Sequence, residues 1–308
     1  MKTIGTACLA LFLITLPFQT EADDSIAAIG AGGIELLQSD DIRMEEQDLF
    51  LTRDKVRTRF LFRNESDVDI TSLVAFVMPD IQPEDLMKRD TIPLANMLNF
   101  TVESNGRKVT PDYDLRAILN DKDITEQLEK LKIRPEDITR YVSSGFAPVQ
   151  QDELKKIGAL HAFFDNVPGW NTRFRIYWEQ QFPAGAQVEI YHEYKPFLGT
   201  ENISPETITE VSAFTEAFCM TNAQKRQAAE LLQQPGVRAY DLEYTLSTGS
   251  NWKGSIERLA ITVEKKAADD VIATCLPGLT PESPMSYGVS HRHKKPTEDI
   301  RVLFISKE

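Results

Sequence analysis

Val56-Arg57-Thr58-Arg59-Phe60-Leu61-Phe62-Arg63-Asn64 is the stretch on which the fold turns. Val56, Thr58, Phe60 and Phe62 alternate with Arg57, Arg59 and Arg63. A period of two puts the apolar set on one face of a strand and the cations on the other. Asn64-Glu65-Ser66-Asp67 supplies turn residues and residues 68–78 return as a mostly apolar strand, so residues 43–79 are expected to form a β-hairpin with one buried face. Residues 97–102 are expected to add a strand closed by Asn105-Gly106, a pair that tolerates the positive φ of a tight hairpin turn.

After about Leu115 the period changes. Asp123 with Glu126 three residues on has the form of a capping box, and Ile124, Leu128 and Leu131 recur at helical spacing. Pro135 opens a second short helix that Gly145 can end, and residues 152–160 make a third. A helical insertion over residues 115–162 is therefore expected between an N-terminal β-sandwich portion, 23–114, and a C-terminal one, 163–308.

Strands resume at Trp170, where Phe174, Ile176 and Trp178 alternate with Arg173, Arg175, Tyr177 and Glu179. Phe182-Pro183-Ala184-Gly185-Ala186 reverses the chain, and Val188, Ile190, His192 and Tyr194 alternate on the return. With those five residues as the loop, Arg175 is expected opposite Glu193 and Tyr177 opposite Tyr191, both pairs on the outer face. Asn222 is expected to cap a helix over residues 222–234 that Pro235-Gly236 stops, and strands follow from Tyr240, at 256–264, 271–275 and 300–305. Runs of strands with turn-rich connectors predict a mainly β (β-rich α+β) fold: an antiparallel β-sandwich, as one large or two tandem sandwiches, with a helical insertion.

The chain begins with Lys2, an apolar run over residues 4–16, then Pro17 and Thr20-Glu21-Ala22. The run is shorter than the roughly 20 residues a bilayer crossing needs, so residues 1–22 read as a cleavable signal peptide cut after Ala22. The expected location is the periplasm or the outside. Gly5-Thr6-Ala7-Cys8 imitates a lipoprotein box, but a lipid-modified cysteine follows the apolar run, and Cys8 sits near its start. The formal charge of -13 survives loss of Lys2 and Glu21. So acidic a surface repels phosphate backbones and anionic lipid, which argues against nucleic-acid and membrane partners. Cutting the signal also removes Cys8 and leaves Cys219 and Cys275. One bridge between them is the expectation, worth roughly 4 kcal/mol in the chain-entropy model. Two separately buried thiols are the alternative, and no Cys-x-x-Cys spacing points to redox chemistry.

Candidate chemistry is sparse. Gly30-Ala31-Gly32-Gly33 lacks the Lys-Ser/Thr of a phosphate loop and reads as a flexible lead-in to the first strand. His291 and His293 share a strand face that suits a transition metal, but no third ligand stands at recognised spacing, and Arg292, Lys294 and Lys295 repel a cation. A solvated basic loop is the plainer reading, and no metal or cofactor is expected. His192 lies on the inward face with Val188, Ile190 and Tyr194, as a core histidine or a buried base. No hydrolase motif accompanies it. Tyr177 and Tyr191, flanked by Arg175 and Glu193, have the mixture of rings and charges that stacks on a sugar or peptide, or that simply stabilises a hairpin. Trp252, between Gly249 and Gly254, either plugs the sandwich end or meets a ligand.

Several stretches together resemble one family. They are Asp23-Asp24-Ser25-Ile26-Ala27-Ala28-Ile29-Gly30-Ala31-Gly32-Gly33, Val74-Ala75-Phe76-Val77-Met78-Pro79-Asp80, Trp178-Glu179-Gln180-Gln181-Phe182-Pro183-Ala184-Gly185, Tyr194-Lys195-Pro196-Phe197-Leu198-Gly199, and Tyr244-Thr245-Leu246-Ser247-Thr248-Gly249-Ser250-Asn251-Trp252-Lys253-Gly254. The family is the exported bacterial domain of unknown function 4424, and the resemblance spans nearly the whole mature chain. It implies a bacterial periplasmic or secreted protein, places both mature cysteines where the family has them, and supplies no catalytic residues. The expectation is a non-enzymatic binding or interaction protein of the cell envelope, with an envelope protein, a glycan or a small polar ligand as partner. The alternatives are an envelope-polymer hydrolase with its site between sandwich and helical insertion, and a purely structural protein.

Overall fold

The computed structural model describes residues 24–30, 33–87, 94–161, 164–201 and 203–308. The signal segment, its cut after Ala22, and Ala31-Gly32 lie outside the described residues. Two sheets face each other across one core. The six-stranded sheet runs in the order Gly33–Leu37, Asp24–Gly30, Ile70–Val77, Asn171–Phe182, Asp112–Leu119, Lys122–Asp123. The eight-stranded sheet runs Thr280–Pro281, Ser286–Lys294, Ile256–Glu264, Ile42–Thr52, Val56–Asn64, Gln187–Tyr194, Thr101–Ser104, Arg107–Val109. All the pairs are antiparallel except Ile256–Glu264 with Ile42–Thr52, so strands from both ends of the chain share one sheet. A four-stranded sheet, Leu198–Glu201, Val237–Tyr244, Ile300–Lys307 and Val271–Thr274, turns Leu242, Tyr244, Val302 and Phe304 into the same core. The architecture is the β-rich α+β sandwich expected from the strand pattern.

The opening stretch forms its strand with Val56, Phe60 and Phe62 fully buried and Thr58 nearly so. Its cations meet acids from neighbouring strands. Arg59 bonds Glu46 at 2.9 Å, Asp48 at 3.2 Å and Glu189 at 2.6 Å, and Arg258 reaches Glu46 and Asp48 at 2.9 and 2.7 Å. Hydrogen bonds from Arg258 and Arg59 hold the Glu46 carboxyl at about 2. Each pair is about one-third exposed and worth under about 1 kcal/mol. Together they fix which strands neighbour one another.

Two expected hairpins are corners instead. Val56–Asn64 pairs with Ile42–Thr52 and Gln187–Tyr194, whereas Ile70–Val77 crosses to the other sheet beside Asp24–Gly30 and Asn171–Phe182. Likewise Asn171–Phe182 and Gln187–Tyr194 lie in different sheets, so Arg175 and Tyr177 stand beside Val77 and Ala75, while Tyr191 and Glu193 stand beside Arg59 and Arg57. The reason is burial. Val74, Ala75, Phe76 and Val77 are all buried, which needs cover on both faces, and Ala27 and Ile34 of the N-terminal strands cover the outer one. The two corners bind each other through Asn64, whose amide donates to Val68 and Phe182 carbonyls at 2.8 and 2.9 Å. Ala184 N–H in turn donates to Asp69 at 2.8 Å.

Smaller differences follow the same logic. Leu94–Leu98 is helical, and the strand there is only Thr101–Ser104, closed as expected by Asn105 and Gly106 at φ 48° and 73°. The N-terminal glycine segment is a hairpin of strands rather than a lead-in, with Ile29 opposite Ile34. Residues 112–119 form a strand, so the helices begin at Thr125–Lys130 and continue at Ile138–Ser144 and Pro148–Lys156. The last starts four residues before its expected position because Pro148 suits a first turn. Trp170 Nε1 and Thr172 Oγ1 both donate to the Pro135 carbonyl, tying these helices to the sandwich. Thr221, not Asn222, caps Asn222–Leu231: its hydroxyl accepts from Gln224 N–H, and Gln224 Oε1 accepts from Thr221 N–H. Two short helices, Pro205–Glu210 and Ser212–Ala217, join it over the outer face of the four-stranded sheet. A disulfide links Cys219 and Cys275 beside that helical cover.

Candidate functional site

The chain leaves both large sheets at one end of the sandwich, and a cleft of about 350 Å³ opens there. Ile70–Val77 runs out into Met78-Pro79-Asp80-Ile81 and the short helix Pro83–Met87, while Gln187–Tyr194 runs through Pro196-Phe197 into Leu198–Glu201 of the third sheet. Val237–Tyr244, the neighbour of Leu198–Glu201 in that sheet, adds Asp241, Glu243 and Tyr244 to the lining, which Thr245 and Arg301 complete. Three sheets thus meet at the cleft. A volume in this range suits a small molecule.

Apolar residues contribute to the lining, among them Met78, Phe197 and Leu198. Its described charges are Asp80, Glu84, Asp85, Asp241 and Glu243 against Arg301. Two of these carboxylates are anchored by arginine. Arg173 clamps Asp80 through Nε at 2.9 Å and Nη2 at 2.8 Å, a two-point contact that fixes the carboxylate plane. Arg301 donates from Nε and Nη2 to Asp241 Oδ2, and its guanidinium lies 4.7 Å from the Phe218 ring centroid. Asp241 Oδ1 is enclosed and has no hydrogen-bond partner among the described residues. Glu243 sits at the mouth, its end reaching solvent. Burial by the cleft walls raises its carboxyl above the usual range, Arg301 pulls it down, and the Asp241 and Asp299 carboxylates push it up.

Behind the cleft floor lies a second polar cluster, sealed from water. His192 Nε2 is 3.4 Å from Asp24 Oδ1, and both side chains are 0% exposed. The rings of Phe76, Phe60 and Phe100 surround the imidazole at 4.8, 5.3 and 5.3 Å. Burial raises the Asp24 carboxyl, with His192 pulling against it. Trp252 Nε1 donates to the Asp24 carbonyl at 2.7 Å and Asn251 Nδ2 to Ser25 Oγ at 3.1 Å, so two of the stretches that carry the family resemblance lock together here.

The structure separates the residues singled out as binding candidates. Tyr177 packs with Ala75 and Val77 on the outer face of the six-stranded sheet, where Arg175 also lies. Tyr191 donates to Glu193 at 3.2 Å on the outer face of the eight-stranded sheet, and Glu193 pairs with Lys55 at 2.7 Å. Those faces point away from each other. Trp252 is 3% exposed, 4.4 Å from Phe62, and fills the sandwich end. His291 lines a smaller cavity of about 140 Å³ beside Cys275, and His293 is exposed. Among the described residues no group of three His, Cys, Asp or Glu is placed to hold a metal ion, and no helix is long and apolar enough to cross a membrane.

The cleft residues escaped notice because the chain is rich in carboxylates and no spacing singles out Asp241 and Glu243. One signal was present. Residues 74–80, 194–199 and 244–254, three of the stretches that resemble the family, all reach this cleft.

Fold and site define a β-sandwich with a disulfide-linked helical cover and an acidic cleft where three sheets meet. The model of the domain of unknown function DUF4424 matches residues 22–303, and the chain belongs to that family. No curated protein matches it in sequence. Among solved structures, a candidate nutrient binding protein from Legionella pneumophila subsp. pneumophila str. Philadelphia 1 aligns at 14% identity and a TM-score of 0.44, over 92% of this chain and 72% of that one. An M1 zinc metallopeptidase from Deinococcus radiodurans aligns at 8% identity and a TM-score of 0.27, over 87% of this chain and 43% of that one.

Proposed function

We propose that this is an exported, non-enzymatic binding protein of the cell envelope, periplasmic or secreted, that takes a small polar ligand into the cleft between its three sheets. The cleft carries the reading: it is open to solvent and joins apolar lining residues to a cluster of carboxylates, the combination that gives a small molecule both burial and orientation. The leader-like residues 1–22 and the Cys219–Cys275 bridge support an oxidising compartment. The hydrolase alternative draws on one observation, the raised Glu243 carboxyl, which is how a general acid is prepared. It locates the reaction in this cleft rather than against the helical insertion.

The test is retention. Purified mature protein and a Leu198→Trp variant, which enlarges a half-buried residue of the cleft lining, are incubated with small molecules from a native periplasmic extract, and the retained compounds are compared by mass spectrometry. A compound held by the first and not by the second is the expected result. Equal retention by both removes the cleft from consideration, and chemical conversion of the compound selects the hydrolase.

A further inference from the structure

The geometry points to a small organic ammonium ion, an amine joined to a compact apolar body, as the ligand class of the cleft; this rests on the cleft being the binding site. Asp241 and Glu243 are two apart on Val237–Tyr244 and therefore project from one face, with Thr245 at the strand exit. Earlier on that face Ala239 packs beneath the helices, and so does Leu303, the cross-strand partner of Asp241. Where the helical cover ends, carboxylates replace alkyl groups. A sheet face that turns from dry to acidic at the edge of its cover is built to meet something other than protein.

What stands there lacks donors. Glu243 has neither a hydrogen bond nor an ion pair among the described residues. Thr245 is 3% exposed, lines the cleft, and its hydroxyl has no hydrogen-bond partner among them. Behind both, Asp241 shares one oxygen with Arg301, and the other has no partner among the described residues. Arg301, the cleft's described cation, is already engaged by Asp241 and by the Phe218 ring.

An ammonium group carries three donors and no acceptor, and so matches acceptors that want donors. A ligand carboxylate or phosphate meets the opposite situation: like charge from five carboxylates, with the neutral amide of Gln82 as a described side-chain donor not already engaged. The apolar residues Met78, Phe197 and Leu198 of the lining then receive the ligand's body. A bound cation also relieves the condition of Glu243, whose carboxyl burial holds above its usual range.

Three matched probes decide it: phenethylammonium, neutral 2-phenylethanol and anionic 3-phenylpropionate, titrated calorimetrically into the mature protein at pH 7 and low salt. Phenethylammonium is expected to bind about tenfold tighter than the alcohol or better, and 3-phenylpropionate more weakly than either. Glu243→Gln is expected to erase that preference, while Glu126→Gln, an exposed carboxylate on a helix outside the cleft, keeps it. Circular dichroism melts verify that both variants fold. The inference is overturned if the alcohol or the carboxylate equals the ammonium, if none of the three binds, or if the preference survives in Glu243→Gln. Leu198→Trp separates the two levels. Alcohol binding that this variant abolishes keeps the cleft as the site and rejects the amine, whereas binding of any probe that it leaves unchanged rejects the cleft as well.

Discussion

Among the described residues two carboxylates are pushed up by burial, and their surroundings differ. Asp24 is sealed against His192 among three phenylalanine rings, while Glu243 stands at the mouth of a cleft with solvent in reach. A raised carboxyl does not by itself mark a functional site. Asp24 has a partner and no path to a ligand, so its contribution is to hold the N-terminal strand on the core. Glu243 has a path and, among the described residues, no hydrogen-bonding partner, which leaves its carboxylate open to a ligand.

The largest expected effect breaks the sealed side. Asp24→Ala leaves His192 buried opposite nothing, and loss of one member of a buried pair costs about 3–5 kcal/mol. Denaturant midpoints measure it, and a change under about 1 kcal/mol would show that the pair is not structural. Asp24→Asn sharpens the same point through pH. The folded Asp24 holds its proton more tightly than the unfolded chain does, so its favourable contribution is complete below pH 3.8, the unfolded value, and is lost as pH rises through the raised folded value. Asparagine cannot titrate. The stability difference between wild type and Asp24→Asn should therefore shift in the variant's favour from pH 4 upward, and parallel pH curves would refute the assignment.

Reducing Cys219–Cys275 is the next effect in size, about 2–4 kcal/mol, and it acts on the open side. Cys219 follows Phe218, whose ring carries the guanidinium that holds Asp241. Hydrogen exchange after mild reduction should accelerate over residues 205–231 and 300–304 and leave residues 188–194 protected. Uniform acceleration would mean that the bridge supports the whole sandwich rather than the cleft wall.

Much of the sandwich was legible and much of the cleft was not, for one physical reason. Alternation reports which way a side chain points, so the inward face of His192 and the buried set Val56, Phe60 and Phe62 could be read locally. It does not report which sheet a strand joins. Asn64-Glu65-Ser66-Asp67 satisfies a hairpin and a corner equally well, and what separates them is that Val74, Ala75, Phe76 and Val77 need cover on both faces. That cover comes from the N-terminal strands, distant in sequence. Asp24 as the partner of His192, and the meeting of residues 77–81 with 241–245, depend on the same long-range crossing. Chemistry carried by one strand was readable, whereas chemistry assembled by the corners was not.

The smallest expected change sharpens the comparison most. Glu243→Gln should alter stability by less than about 0.5 kcal/mol, because the side chain reaches solvent and gives up no hydrogen bond. Its weight falls on binding instead. The folded carboxyl is raised, so part of the population is protonated in mild acid, and phenethylammonium should bind more weakly as pH falls through that range while the amine itself stays charged. Arg301, Asp241 and Asp299 bear on the same carboxyl, and Asp80, Glu84 and Asp85 share the cleft, so the control is the variant rather than the buffer. In Glu243→Gln the acid limb of the affinity profile should flatten with the melting temperature unchanged. A variant that loses stability as Asp24→Ala does would place Glu243 with the sealed pair and leave the cleft without its recognition group.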